Sequence, residues 1–597
     1  MTFSKVLVAN RGEIAARVLR TCTELGLTGI AVHSDADVDA LHVRVADQAE
    51  ALGGTAPGDS YLNIDKVLEA ASRSGAEAVH PGYGFLAENA EFARAVEAAG
   101  LVFIGPPASA IEVMGEKVAA RQVADQAKVP LIPGSREPVT DAEQVRTFGA
   151  EHGYPLVIKA SYGGGGRGMR TVAGPEEAEA ALEAAGREAT SAFGHADVYV
   201  ERYLAGARHV EVQLFADTLG HAVWLGDRDC SVQRRHQKLV EESPAPGLSS
   251  ELRTAMGEAA VRLAQAVGYV GAGTVEYLVE GEHFFFLEMN TRIQVEHPVT
   301  EEVLGLDLIA EQLRVAQGEE LSVRTSGPQP RGHAIECRIN AEDIAGGLFI
   351  PAPGKITALK VPSLPGVRFD TGYEAGDEVQ PYYDSMIGKL LAWAPDRDTA
   401  IKRLSSVLRG FTVSGVPTTA PAALAVLEHP DFAAVDISTL WLEQTVEFPA
   451  ATQPETSPAE DDADLPEAEN EVWVAGRRYV IPFFGSTASA AADQPASAVG
   501  PQRRRSTGSG KKGRGSAGRG AGSADGSVTS PMQGTIIAVN VAEGDAVADG
   551  DVLFVVEAMK MENPVRATAA GTVGAVKVAV GEVVAAGAAL AVVEAGQ

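Results

Sequence analysis

Cysteine is scarce in this chain. Its 597 residues include only three, Cys22, Cys230 and Cys337. They are far apart, show no CxxC spacing and are odd in number. That argues against a disulfide framework or a zinc site and fits a reducing cytoplasm. Basic charge is also short: 50 Lys and Arg face 80 Asp and Glu, a formal net charge of −30. A general nucleic-acid binder draws its affinity from basic residues against phosphates, so that class is disfavoured. No run of about 18 uncharged apolar residues occurs, so no membrane span is expected. The opening MTFSKVLVANRGEIAARVLR lacks a charged leader followed by an apolar core; it reads as strand, turn and helix, not as a signal peptide. The first βα turn, ANRGEIA, has only Gly12. Without GxGxxG, backbone cannot approach a dinucleotide pyrophosphate, so a nicotinamide site is not expected.

What is present is an ordinary globular composition, 45% hydrophobic and 22% charged, in a chain long enough for several cores. From Lys5 to about Pro107, short apolar runs (KVLVAN, GIAVHS, AEAVHPGYGF, LVFIGPP) alternate with helical stretches. That is the pattern of a parallel sheet. Strands and helices continue from about Glu116 to Thr325 around the densest polar clusters, and again from about Pro330 to Phe448. Composition then changes. Residues 449–470 are Pro, Ala and acidic; residues 486–527 are Ser, Gly, Ala and basic. Neither stretch carries enough apolar surface to fold, and both read as linker. Between them, EVWVAGRRYVIPFF reads as a short two-strand hairpin. The basic run Arg503–Arg519 has no interleaved aromatics, which favours a linker over a nucleic-acid contact.

The last segment repeats itself. GTIIAVNVAEGDAVADGDVLFVVE (Gly534–Glu557) aligns without a gap on GTVGAVKVAVGEVVAAGAALAVVE (Gly571–Glu594), with about 14 of 24 positions identical. Two similar halves of short strands and Gly turns suggest a flattened barrel with a pseudo-twofold axis. EAMKMEN, at the join between the halves, would put Lys560 at a hairpin tip.

Three constellations carry chemistry. In YPLVIKASYGGGGRGM, a strand ending in Lys159 leads into Gly163, Gly164, Gly165 and Gly166. Glycines let backbone N–H groups approach phosphate oxygens, and Lys159 and Arg167 add positive charge. The Walker pattern GxxxxGK[ST] is absent from this stretch. In FLEMNTRIQVEHP, a strand would point Glu288 and Asn290 to one face, with Arg292 and Gln294 continuing on it. Glu276, on the preceding strand of an expected hairpin, adds a second carboxylate. Two carboxylates and an amide oxygen make a hard site suited to Mg2+ that bridges nucleotide phosphates. RDCSVQRRHQKLVEESPAP gathers cations around Gln233, His236 and Lys238, suited to an anionic substrate or, equally, to a salt-bridged surface loop.

Taken together, ANRGEIAARVLR, HPGYGFLAEN, YPLVIKASYGGGGRGM, DRDCSVQRRHQKLVEESPAP and FLEMNTRIQVEH resemble the biotin carboxylase family in order and spacing. EAMKM resembles the attachment site of biotin carboxyl carrier domains. The whole is similar to the α subunit of an actinobacterial-type acyl-CoA carboxylase, a carboxylase fused to a carrier. The resemblance implies an α/β multidomain protein. Its parts would be a Rossmann-like N-terminal α/β domain (1–115), an ATP-grasp domain (116–325), a C-terminal carboxylase domain (326–448), a mostly disordered linker (449–527) and an all-β biotinyl domain (528–597). Residue by residue, it implies Lys117, Lys159, Glu201, His209 and His236 around ATP, with the loop Gly163–Gly166 over the phosphates. Glu276 and Glu288, with Asn290, would hold Mg2+ or Mn2+. Lys238, Arg292, Gln294 and the Val295 backbone would bind bicarbonate. Glu296 would be its base, Arg338 would sit by the biotin ring, and Lys560 would carry biotin.

Bicarbonate is a poor electrophile, so ATP would first convert it to carboxyphosphate; metal, lysines and arginine would neutralise the transferring phosphoryl group. A closing glycine-rich lid would keep water from that labile species. About 80 linker residues taken as coil span roughly 50 Å, which would let the carrier visit two distant sites. Implied partners are a separate carboxyltransferase β subunit, with or without a small accessory subunit, a biotin protein ligase, and further copies of the chain. No nucleic-acid or membrane partner is expected, and the cytoplasm is the expected compartment. Two other readings stay open: a different ATP-grasp ligase with a lipoyl-like carrier, and a non-catalytic scaffold. The MKM site speaks against the first and the intact metal and base residues against the second.

Overall fold

Val6, Leu7 and Val8 are all fully buried, because their strand is the centre of a parallel sheet covered on both faces. In a computed structural model, β1 (Lys5–Val8), β2 (Thr28–His33), β3 (Gln48–Ala51), β4 (Ala78–His80) and β5 (Val102–Phe103) are ordered β3-β2-β1-β4-β5. All pairs are parallel, and the order reverses direction at β1, the Rossmann-type switch point. There Asn10 donates to the Pro81 and Tyr83 carbonyls at 2.8 and 2.7 Å. Gly82 (φ +64°) is required: a Cβ on it would stand 2.8 Å from Asn10 Nδ2.

The structure describes residues 2–135, 137–160, 169–193, 197–204, 206–448, 468–475, 477–483, 527–530, 534–548, 550–558, 561–567, 569–580, 582–584 and 588–595. Two units form: Met1–Ser457 with Val472–Tyr479, and Pro458–Glu471 with Val480–Gln597. Among the described residues no helix is long and apolar enough to cross a membrane.

In the first unit, β6 (Leu156–Ala160), β7 (Met169–Val172) and β8 (Val198–Arg202) make a small antiparallel sheet. The site is built on a larger one. β9 (Arg208–Ala216), β10 (Ala222–Arg234), β11 (Gln237–Ser243), β12 (Gly271–Glu280), β13 (His283–Asn290) and β14 (His333–Asn340) are joined by strands Met386–Ala394 and Val367–Thr371. The order is β13-β12-β9-β10-β11-β14, then Met386–Ala394 and Val367–Thr371. This sheet runs unbroken across position 325/326, because β14 pairs with β11. Strand β9 shows why one face is chemical. Val210, Val212 and Leu214 pack into a core with Leu252, Met256, Ala260 and Leu263 of helix Ser250–Ala266, so His209, Glu211 and Gln213 alternate to the other face.

The expected hairpin is present as paired strands Ala468–Val474 and Arg477–Phe483. Its turn belongs to the first unit: Ala49 N donates to Ala475 O at 3.0 Å, and Arg478 Nε meets Asp39 Oδ1 at 2.8 Å. The expected coil on either side lies outside the described residues.

The second unit has two four-stranded sheets that exchange parts. Gly534–Val539 and Val552–Ala558, from the first repeat, pair with each other, while Val583–Val584 of the second repeat adds to Gly534–Val539. Gly571–Val576 and Ala589–Ala595 do the same with Ala546–Val547 of the first. The shift that carries Gly534 onto Gly571 also maps the bulge at Ile536/Ala538 onto that at Val573/Ala575. The internal repeat is therefore a pseudo-twofold barrel with swapped short strands.

Candidate active site

Four side chains share one rung of the large sheet. Glu288 lies opposite Glu276, Glu276 opposite Glu211, and Glu211 opposite Arg228. Three carboxylates in a row across a sheet repel, so cations must gather over them. Arg228, fully buried, donates to Glu211 Oε1 at 2.5 Å and to Gln213, Thr300 and Thr274. Lys238, from β11, reaches Glu211 Oε2 at 2.7 Å, Glu276 Oε1 at 3.1 Å and Glu296 Oε1 at 2.6 Å. Burial alone would lower the Lys238 pKa, but the Glu211, Glu276 and Glu296 carboxylates outweigh it and hold it well above its ordinary value.

Glu296 has no exposed surface. It accepts from Lys238 and, through Oε2, from Arg338 at 2.9 Å. Burial pushes its pKa up; Lys238, Arg338 and Arg228 prevail and keep it well below the usual carboxylate range. It is thus ionised in the neutral range. Arg338 Nε also donates to Glu241 Oε1 at 2.5 Å.

The residues expected to hold a metal lie together on the paired strands β12 and β13. Glu276 Oε1 accepts from Asn290 and Gln294 at 2.9 and 3.0 Å, and its other oxygen pairs with His209 Nε2 at 3.0 Å, an ion contact without hydrogen-bond alignment. Glu276 is pulled below the carboxylate range: burial opposes this, and Lys238 and His209 overcome it. Glu288 retains surface exposure yet is closely surrounded; desolvation, then the Glu276 and Glu88 charges, raise its pKa. A hard divalent cation between Glu276 and Glu288 would relieve that repulsion, so this oxygen set fits Mg2+ or Mn2+.

One expectation is corrected. Arg292 and Gln294 do not continue the β13 strand face. The strand ends at Asn290, and a loop leads into helix His297–Leu304, which carries Pro298 in its first turn. They reach the site by folding back. Arg292 donates to Asn290 Oδ1 at 2.8 Å, Gln294 Oε1 at 2.7 Å and Glu88 Oε2 at 2.9 Å. Next to them, Lys389 Nζ holds the Val295 carbonyl at 2.8 Å and pairs with Glu13 at 3.1 Å.

The remaining expected residues are spread around this cluster. Lys159 Nζ donates to Glu201 Oε2 at 2.5 Å across β6 and β8. Lys117 is exposed at the start of helix Lys117–Gln126 and acts on Glu288 through its charge. His236 sits on the exposed β10–β11 turn at φ +65°, outside the buried cluster. Gly163, Gly164, Gly165, Gly166 and Lys560 lie outside the described residues; the strands flanking Lys560 pair as far as Ala558 and Met561. Glu211, Glu241, Arg228, Glu88 and Lys389 were not singled out beforehand. For Glu211 the alternation of HVEVQ was the available signal, and Glu88 lies within HPGYGFLAEN; Lys389 offers none locally.

Known proteins resemble the chain along most of its length. Family models match for "Biotin carboxylase, N-terminal domain" over residues 2–111, "Carbamoyl-phosphate synthase L chain, ATP binding domain" over 116–324, "Biotin carboxylase C-terminal domain" over 336–444 and "Biotin-requiring enzyme" over 526–593. The chain is 46% identical to the biotin-dependent acyl-coenzyme A carboxylase alpha3 subunit of Mycobacterium leprae, over 94% of each chain. It is 44% identical to the propionyl-CoA carboxylase alpha chain of Ruegeria pomeroyi, over 76% of this chain and 70% of that one. Among solved structures, a biotin carboxylase from Campylobacter jejuni superposes with a TM-score of 0.68 at 44% identity, covering 74% of this chain and 99% of the other. The chain belongs to the family of biotin-dependent acyl-CoA carboxylase α subunits, ATP-dependent biotin carboxylases joined on one polypeptide to a biotin-carrier domain.

Proposed function

We propose that this chain carboxylates biotin carried on its own Lys560, using ATP and bicarbonate, and hands the carboxyl group to a separate carboxyltransferase subunit. The observation that carries the reading is Glu296. It is a buried carboxylate held ionised between Lys238 and Arg338, beside an oxygen-donor set fit for a divalent ion, on a chain that ends in a biotinyl domain.

In this reading Glu296 takes the proton of bicarbonate. Lys238, Arg292 and Gln294 orient the anion, while Lys389 fixes the Val295 backbone beside it. Glu276, Glu288 and Asn290 would hold a divalent ion that offsets the charge of the ATP phosphates, with Lys117, Lys159, Glu201, His209, His236 and the loop Gly163–Gly166 around the nucleotide. Positioned cations neutralise the γ-phosphoryl group as it passes from ATP to the bicarbonate oxygen, and the products are carboxyphosphate and ADP. Biotin supplies what no side chain offers, a ureido nitrogen that can hold CO2. Arg338 would be the cation beside that ring. The domain bounds assigned are 1–115, 116–325, 326–448, 449–527 and 528–597.

The partners assigned are a carboxyltransferase β subunit, a biotin protein ligase and further copies of this chain. With all three cysteines free and buried, the compartment assigned is a reducing cytoplasm. The acyl-CoA substrate is a property of the β subunit, and malonyl-CoA, methylmalonyl-CoA or a longer homologue would be its product. The test is avidin capture: the wild-type chain, co-expressed with its ligase, is retained, and Lys560→Arg is not. An unlabelled wild-type chain, or a labelled Lys560→Arg, would sink the assignment.

A further inference from the structure

Glu241 and Glu336 face each other across the β11–β14 ladder, both without exposed surface. Neither oxygen of Glu336 has a hydrogen-bond partner among the described residues, nor does Glu241 Oε2. Unpartnered carboxylate oxygens at one buried point are costly. The nearby cations are already engaged. Arg338, two residues from Glu336 on the same strand face, serves Glu241 and Glu296. Lys389, on the next strand, serves Glu13 and the Val295 carbonyl. Lys238, on β11, serves Glu211, Glu276 and Glu296. The other titratable neighbours are the Cys230 and Cys337 thiols, which burial keeps protonated. One proton resolves the arrangement, because a carboxyl O–H on one side chain can donate to a carboxylate oxygen of the other.

We propose that Glu241 and Glu336 form one acid pair, Glu336 bearing the proton and Glu241 the charge, and that this pair positions Arg338. The role rests on the reading of Arg338 as the residue at the biotin ring. Burial supports it from both sides. It lifts Glu241 to about 7 against the pull of Arg338, and Glu336 well above its ordinary value against Lys389. The pair gives Arg338 a constant anchor. Its other partner, Glu296, loses its charge on taking the bicarbonate proton; Glu241 keeps its own, because the proton of the pair sits on Glu336. The guanidinium therefore stays placed while its second anchor switches off.

Infrared difference spectroscopy on the full chain at neutral pH tests the proton. The carbonyl stretch of a buried, protonated carboxylic acid should be present, shift in D2O and vanish in Glu336→Gln. Kinetics test the positioning. Glu241→Gln should lower kcat for biotin-dependent ATP turnover about 100-fold, with KM for ATP moved by less than about threefold, and Glu241→Asp should recover about a tenth of the wild-type rate. A spectrum unchanged by Glu336→Gln overturns the shared proton. A Glu241→Gln enzyme that loses ATP affinity as much as kcat is merely distorted, which overturns the positioning role. Near-normal turnover in Arg338→Ala would overturn the biotin-ring reading and that role with it, while leaving the infrared band in place.

Discussion

Lys238 Nζ and Glu296 Oε1 lie 2.6 Å apart, with Glu296 wholly buried and Lys238 nearly so. This contact ties the protonation of the assigned base to the cation assigned to bicarbonate. When Glu296 takes a proton, Lys238 loses one of three carboxylate partners and becomes more available to an anion.

Glu296→Gln keeps the shape and removes the base. Bicarbonate-dependent ATP turnover with free biotin should fall about 10²- to 10⁴-fold. Truncation to Ala should in addition destabilise the chain by about 3–5 kcal/mol, because it strips a partner from buried Lys238 and Arg338. Turnover within about threefold of wild type in the Gln variant would remove Glu296 from the mechanism.

Two buried glutamates beside Arg338 respond to pH in opposite senses. Glu296 is lowered, so its stabilisation is present above about 4.3, the unfolded value, and is lost as pH falls through its folded pKa. Glu336, the member of the acid pair that bears the proton, is raised well above its ordinary value by burial. Its folded form holds a proton that the unfolded chain has released, so stability declines as pH rises above about 4.3. Thermal unfolding of wild type and Glu336→Gln from pH 5 to 8 should show a shallower decline in the variant. Parallel curves would contradict the assignment.

Removing one metal donor should show in the cation requirement. In Glu288→Gln the Mg2+ concentration that half-saturates ATP turnover should rise at least about tenfold, the equivalent of about 1.4 kcal/mol. It should rise with Mn2+ as well, since both prefer oxygen donors. An unchanged titration would place the metal elsewhere.

The carrier halves are alike in backbone but not in volume. Phe554 and Ala591 occupy equivalent places in the two repeats, and both are fully buried. One half therefore supplies the bulk that the other leaves room for. Phe554→Ala should cost about 3–5 kcal/mol, read as lost hydrogen-exchange protection in residues 534–567 of the full chain. Protection equal to wild type would show that the ring does not hold the barrel together.

Local periodicity made much of this legible. The apolar runs of β1 and β2, the Glu276–Glu288 hairpin and the carrier repeat are each written within a few dozen residues, and the folded chain contains them. Arg292 and Gln294 were recognisable as site residues, but not their route, since Pro298 opens a helix where alternation suggested more strand. The contacts of Glu88, Lys389 and Glu13 were illegible for another reason. Each meets the site across sheet register or between elements hundreds of residues apart, and no spacing along the chain encodes such a meeting.

The eight-stranded sheet has a practical consequence for anyone splicing related chains. A crossover at the interdomain seam near 325/326 looks natural on the sequence, yet it parts β11 from β14, and with them Glu241 from Arg338. A hybrid joined there inherits half of its guanidinium clamp from each parent. Viable grafts should instead be cut beyond Phe448, after the last strand of that sheet has been laid down.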